Sequence, residues 1–432
     1  MNVEVRSEAA FPASKMAKAR CRLCDAALHR TVVDLGMSPP CEKILLPHEI
    51  DQREEYFPLH VLVCDDCLLV QLKDYIPPED IFTEYGYFSS YSTSWVEHAR
   101  RYCVAMHERL GLGRDSLVVE LASNDGYLLQ HFLPMGVPVL GIEPAPNVAA
   151  KAIEIGVPTR LAFFGRELAD QLVEEGLAAD LVAGNNVLAQ VPDLNNFVGG
   201  IARLLKPHGV ATLEFPHLER TLAGNQFDQF YHEHFSYFSL LAVEKVGAAH
   251  GLLLFDVEEL ETHGGSLRIF FRRADQGGPA PSPRVAEIRT RELSLGYAEL
   301  AAYRAFGERV ARTKRRLLQF LIEAKESGKR VVGYGAPGKG NTLLNHCGIR
   351  TDFLDFLVDR NPHKHGRFTP GTHIPVRPVE QVDAARPDYL LILPWNLTRE
   401  ITRQMRHVAD WGCRFVVPIP EVTVIDPAEV PA

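Results

Sequence analysis

Two short cysteine pairs, Cys21-Arg22-Leu23-Cys24 and Cys64-Asp65-Asp66-Cys67, constrain this chain more than any other feature of its sequence. Each C-x-x-C turn aims two thiolates at one point, and four thiolates suit tetrahedral zinc in a closed structural site that asks for no further ligand. A disulfide reading needs an oxidising compartment, and a redox C-x-x-C belongs at a helix N-terminus within a βαβ unit. Neither predicts a matched pair. The separation between the pairs exceeds that of a simple zinc ribbon, yet the segment between them carries strand and turn signals enough for a small β-rich head. Cys41, Cys103, Cys347 and Cys413 stand alone and are expected to be packing residues.

Behind this head the pattern changes to a repeated strand, turn and helix. Apolar runs at 116–121, 137–143, 179–186 and 209–214 alternate with helical stretches, the rhythm of a doubly wound α/β sheet. A Pro/Gly-rich stretch from Asp275 to Pro283 interrupts it, a long helical segment is expected at about 285–327, and the rhythm restarts. Runs at 329–335, 353–359, 389–393 and 415–418 supply the second set of strands. The fold class is therefore α/β: a small zinc-binding N-terminal domain followed by central and C-terminal Rossmann-like domains.

Composition agrees with this organisation. With 46% apolar and 23% charged residues the chain is globular, and its net charge of -9 with no basic block excludes a nucleic-acid partner. The chain has no apolar run of membrane-spanning length and no signal-peptide core, so a cytoplasmic protein without a membrane partner is expected. Nothing resembles a coiled coil, which leaves monomer and dimer equally open.

The two sheets carry different leading turns. Glu120-Leu121-Ala122-Ser123-Asn124-Asp125-Gly126 has an acid at the strand end and one glycine, so it does not fit G-x-G-x-x-G. Glu143, at the end of the next strand, can accept from ribose hydroxyls. An adenosine ligand without phosphates, such as S-adenosylmethionine, suits this turn. The later turn, Gly333-Tyr334-Gly335-Ala336-Pro337-Gly338-Lys339-Gly340, does match G-x-G-x-x-G, and Asp359 ends the following strand. Spacing alone admits an NAD-dependent nucleotide-sugar oxidoreductase using Gly333 to Gly340. Against it, Pro337 stands where the helix should begin, and Lys339 is better suited to a phosphate, as on a nucleotide sugar.

Between the sheets, Phe230-Tyr231-His232-Glu233-His234-Phe235-Ser236-Tyr237-Phe238 concentrates imidazole, phenol and carboxyl in an aromatic surround, groups able to move a proton near neutral pH. If extended, it would put Tyr231 and Glu233 on one face and His232 and His234 on the other.

The cysteine pairs, Ile81-Phe82-Thr83-Glu84-Tyr85-Gly86-Tyr87-Phe88, Ser123 to Gly126, Tyr231 to Phe238, Thr262-His263-Gly264-Gly265-Ser266-Leu267-Arg268 and Gly333 to Gly340, in that order, resemble the three-domain sugar C-methyltransferases. That family acts on nucleotide-linked keto deoxysugars. The resemblance implies a zinc domain over 18–80, an S-adenosylmethionine-binding methyltransferase domain over 81–283, and a linking helix with a substrate domain over 284–432. It implies that Cys21, Cys24, Cys64 and Cys67 hold structural zinc, and that Glu120, Ser123, Glu143 and Asn186 surround S-adenosylmethionine. Gly335, Lys339 and Asn341 would meet a nucleotide sugar, expected to be dTDP-linked, while Tyr85, Tyr231, Glu233 and His234 face its sugar. Ala122 departs from the family's usual glycine. His234 is the expected base that forms an enolate beside the ketone, Tyr231 with Tyr85 would hold the enolate oxygen, and Glu233 would orient His234 or a sugar hydroxyl or amine.

Overall fold

The computed structural model describes residues 19–73, 75–76, 88–278 and 280–429. In the head, both cysteine turns close in the same way. Asp25 N–H donates to the Cys21 carbonyl at 2.9 Å and Leu68 N–H to the Cys64 carbonyl at 3.1 Å. The residue after each second cysteine, Asp25 or Leu68, lies in the left-handed region at φ 59° and 64°. Between the turns run β1 (Arg30–Ser38) and β2 (Phe57–Val63), and β3 (Val70–Leu72) follows, all antiparallel.

The middle domain opens with α1 (Thr93–Leu110), capped by the Ser92 hydroxyl at 3.3 Å from Trp95 N and ended by Gly111. Then come β4 (Val118–Leu121), β5 (Val139–Glu143), α2 (Pro146–Glu154), β6 (Thr159–Leu161), α3 (Arg166–Glu174), β7 (Ala179–Asn185), α4 (Leu194–Leu204) and β8 (Leu205–Pro216). These five strands are parallel in the order β6-β5-β4-β7-β8, and every residue of β4 is buried, as a strand covered on both faces must be. After α5 (Leu218–Ala223), β9 (Ser236–Tyr237) and α6 (Leu240–Ala249), strands β10 (Leu252–Leu260) and β11 (Ser266–Arg273) extend the sheet, with β11 antiparallel between β8 and β10.

Strand β9 leaves this sheet altogether. It pairs with β3 of the head, Val70 opposite Tyr237 and Gln71 opposite Ser236. The expected single helix at 285–327 is two, α7 (Pro283–Ser294) and α8 (Ala301–Glu326), parted at Gly296, whose φ of 78° no right-handed helix accommodates. The C-terminal sheet of β12 (Val331–Tyr334), β13 (Leu357–Val358), β14 (Val376–Arg377), β15 (Tyr389–Ile392), β16 (Arg414–Val417) and β17 (Thr423–Ile425) runs in the order β14-β13-β12-β15-β16-β17, only β17 being antiparallel. Helix α9 (Gly338–Cys347) follows β12.

The head is shared between the two larger domains. Leu59, Val61 and Val63 of β2 are buried in one core with Tyr303, Phe306 and Val310 of α8 and Leu343 and Leu344 of α9. Leu62, on the opposite face, joins the cysteines in a core with α3, α4 and α6. The period-two alternation of one strand thus buries its two faces in two different domains.

Candidate active site

In the head, Cys21, Cys24, Cys64 and Cys67 bring their sulfurs within 4.8 Å of one another, with Cys21–Cys67 at 3.4 Å and Cys24–Cys64 at 3.5 Å. A zinc ion bonded at about 2.3 Å to four sulfurs spaces them about 3.8 Å apart, whereas a disulfide needs about 2.05 Å. The donor set therefore fits structural zinc. Gln71 Nε2 donates to Cys21 Sγ at 3.1 Å, the kind of outer contact that fixes a ligand. Arg22, inside the first cysteine turn, donates to the carbonyls of Leu72, Pro192 and Phe235, so the metal turn is tied to the segment carrying His234.

In the middle sheet, strand order reverses between β4 and β7, and ligands of such sheets sit beyond the carboxyl ends of those strands. There the polypeptide leaves buried polar atoms without partners: Glu120 Oε2, Ser123 Oγ, Asp125 Oδ1, both side-chain atoms of Asn185, and Asn186 Oδ1. Buried polar groups are almost always paired, so this concentration fits a ligand rich in hydroxyl and amino groups. Glu143 is aimed from the end of β5 by two backbone amides, Asn124 N to Oε2 and Ala145 N to Oε1, each 2.9 Å. Each oxygen retains a lone pair for a ribose hydroxyl. Burial, then the neighbouring Glu143 and Asp125, push Glu120 well above the usual carboxyl range. Ala122 takes the left-handed φ of 54° that glycine would adopt freely.

Two backbone amides close over this turn, Ser89 N donating to Asn124 Oδ1 and Ser90 N to Asp125 Oδ2, both at 3.0 Å. Tyr85, expected at the sugar, lies outside the described residues.

The segment at 230–238 is not extended throughout. His234 N–H donates to the Tyr231 carbonyl at 2.9 Å, and the resulting turn brings Tyr231 and His234 to the same side, the phenol oxygen 2.9 Å from His234 Nε2. The expectation of opposite faces fails because only Ser236–Tyr237 joins a sheet. Burial, then His263, lowers His234 to about 3, while burial holds the Tyr231 phenol well above its ordinary range. The neutral imidazole therefore accepts from the phenol O–H. Glu233 forms no hydrogen bond with His234. Burial and Glu42 of the head raise it to about 8.

His263, unassigned from the sequence, stands opposite Asn186, its Nε2 3.1 Å from Asn186 Nδ2. It occupies the left-handed region at φ 53°, ahead of Gly264 and Gly265, which are also left-handed. Glu214, fully buried, holds this turn through Thr262 Oγ1 at 3.0 Å and Arg268 at 2.7 Å, with His98 Nε2 3.0 Å away. The Thr262 to Arg268 run was the available signal. Asp228 and Trp395 carried none, standing apart from every motif.

The C-terminal glycine turn is filled by protein. Gly338 N–H, at the start of α9, donates to Glu42 Oε1 of the head at 2.9 Å, and a Cβ at Gly338 would lie 2.3 Å from that oxygen. Asn341 Nδ2 donates to the Cys41 carbonyl at 2.7 Å. Gly335 packs against Pro394 at φ 85°. Asp359, placed to meet a ribose, accepts from Ala336 N and Asn361 N, both at 2.8 Å. A dinucleotide would have to displace the Glu42 carboxylate, which weighs against the oxidoreductase reading. Lys339 points elsewhere, donating to Asn396 Oδ1 at 2.9 Å with its ammonium 5.0 Å from the Trp395 ring centre.

The orphaned polar atoms beside β4 and β7, behind a zinc-stapled head, define an S-adenosylmethionine-dependent methyltransferase. Family models match the chain in the same order: a zinc binding domain over residues 21–82, a methyltransferase domain over 95–256, and a C-methyltransferase C-terminal domain over 261–420. The C-methyltransferase NovU of Streptomyces niveus is 37% identical over 405 residues, 94% of this chain and 96% of its own length. The chain belongs to this three-domain C-methyltransferase family. Among solved structures it is similar to the 1,6-didemethyltoxoflavin-N1-methyltransferase of Burkholderia thailandensis (16% identity, 48% of this chain and 95% of that one, TM-score 0.35). It is also similar to an S-adenosylmethionine-dependent methyltransferase of Clostridium acetobutylicum (14% identity, 42% of this chain and 92% of that one, TM-score 0.34).

Proposed function

We propose that this enzyme methylates carbon beside the ketone of a nucleotide-linked keto deoxysugar, dTDP-linked, through an enolate. The observation that carries the reading is the neutral Tyr231–His234 pair at 2.9 Å in a buried turn beside the donor strands. S-adenosylmethionine, when bound, supplies an electrophilic methyl carbon. Glu120, Ser123, Glu143 and Asn186 surround that donor. When the sugar enters, the Tyr231 O–H turns from Nε2 to the ketone oxygen, and the freed Nε2 lone pair takes the adjacent proton. The C–H electron pair moves into the ring and onto the oxygen, where the phenol steadies it. Burial keeps the His234 imidazole neutral and free to accept a proton but also makes it a weak base, so the step depends on the Tyr231 O–H holding the ketone oxygen and acidifying the adjacent C–H. The amides of Ser89 and Ser90 hold the Asn124–Asp125 turn, and exclusion of water from the closed site protects the carbon from reprotonation. The C-terminal turn meets the nucleotide sugar through Lys339, on a frame set by Gly335 and Asn341. The domains divide at 18–80, 81–283 and 284–432. Among the described residues no helix is long and apolar enough to cross a membrane, and a cytoplasmic enzyme fits its nucleotide substrate.

The test incubates the protein with dTDP-linked keto deoxyhexoses in deuterium oxide without donor, and then with methyl-labelled S-adenosylmethionine. Deuterium should enter beside the ketone and the label should follow at the same carbon; neither event with any such sugar ends the proposal. His234→Asn should lose exchange while still binding donor, and exchange that persists removes His234 as the base.

A further inference from the structure

Asp228 is buried and Lys339 half-buried, and the two opposite charges attract each other without forming a direct ion pair. One indole stands between them. Trp395 Nε1 donates to Asp228 Oδ2 at 2.7 Å, and the Trp395 ring centre lies 5.0 Å from the Lys339 ammonium. Asp228 is 0% exposed, and its second oxygen, Oδ1, has no partner. Lys339 spends one of three protons on Asn396. The same indole packs on the His263 turn so tightly that a Cβ at Gly264 would lie 2.5 Å from Trp395 Cη2. Through this contact the pair lies next to the turn that carries His263, and Lys339 also acts electrostatically on His234 and His263.

The orphaned Asp228 oxygen and the spare Lys339 protons select what can pair with them. A phosphate brings acceptors only, and it would set a second anion against the buried Asp228 carboxylate. A sugar ring carrying a donor on one carbon and an oxygen acceptor on its neighbour satisfies both ends at once. Resting on the keto-sugar reading, we propose that Asp228, Trp395 and Lys339 form a bipolar subsite for the sugar ring rather than for the phosphates. Asp228 takes a ring hydroxyl or amine, and Lys339 takes a ring oxygen next to it.

The test measures, by calorimetry in the presence of S-adenosylhomocysteine, binding of dTDP alone and of a dTDP-linked keto deoxyhexose to wild type, Asp228→Asn and Lys339→Met. Both variants should bind dTDP within about twofold of wild type and bind the nucleotide sugar at least tenfold more weakly. Trp395→Phe, which removes the indole donor together with the far edge of the ring that packs on Gly264, should show the same separation and covers the case in which Asp228→Asn fails to fold. Equal loss of both ligands in Lys339→Met makes Lys339 a phosphate contact and overturns the inference. Nucleotide-sugar binding indifferent to all three substitutions overturns it alone. A wild type that binds S-adenosylhomocysteine but no nucleotide sugar overturns the substrate reading and the inference with it.

Discussion

Glu233 carries a proton at neutral pH, because burial and the nearby Glu42 carboxylate raise it to about 8 from an ordinary 4.5. Between those values the folded chain holds a proton that the unfolded chain has released. The contribution of Glu233 to stability is therefore complete below about pH 4.5 and is lost as pH rises through about 8. His234 and His263 have the opposite sign. Depressed to about 3 and about 4, they remain neutral while the unfolded chain takes up protons below about 6.5, so they destabilise the fold as pH falls. Glu233→Gln should flatten the alkaline side of the profile and leave the acid side intact; thermal unfolding across this range measures it, and a constant offset from wild type would contradict it. The cysteine cluster was legible because its chemistry is visible at short spacing. His263 was not, since three consecutive left-handed residues set its position. The pairing of Tyr231 with His234 needed the turn that an extended reading excludes.

At the scale of elements, the N-terminus of α9 shows how spacing misleads. Gly333 to Gly340 has the length and glycines of a dinucleotide turn, and its exposed amides would suit a pyrophosphate. A carboxylate far away in sequence has taken that place. Glu42 at a helix N-terminus is worth about 0.3–2 kcal/mol, depending on burial. Glu42→Gln is expected to lower stability in denaturant by about 1 kcal/mol and to create no affinity for NAD, read by quenching of intrinsic fluorescence; tight NAD binding by the variant would reopen the oxidoreductase reading. Strands β4, β5, β7 and β8 of one sheet and β12, β13, β15 and β16 of the other were legible from their apolar runs, whereas the short β6, β14 and β17 and the antiparallel β10 and β11 were not. Strand β9 was recognised only as part of a titratable cluster, because its partner is a strand of the head.

The molecule as a whole is organised by the head. The zinc turn reaches the Phe235 carbonyl through Arg22, and β3 pairs with β9. Cys64→Ser should remove about one zinc per chain by atomic absorption and slow the proposed exchange at the sugar more than it weakens donor binding; an unchanged exchange rate would separate the metal from the Tyr231–His234 turn. Phe306, fully buried where α8 meets the head, should cost about 3–5 kcal/mol when changed to alanine, read as a shift in the denaturant midpoint. A head was expected from the cysteines, but its embedding in two cores depends on contacts between distant segments that no local pattern records.

Strand β2 gives this embedding an unusual sensitivity to length. Leu59, Val61 and Val63 belong to one core and Leu62 to the other. Deleting a single residue within β2 would reverse every side chain beyond the cut, sending each group of apolar residues into the wrong neighbour. The strand thus acts as a key cut on both edges. It fits two locks at once, and it tolerates a change of residue far better than a change of phase.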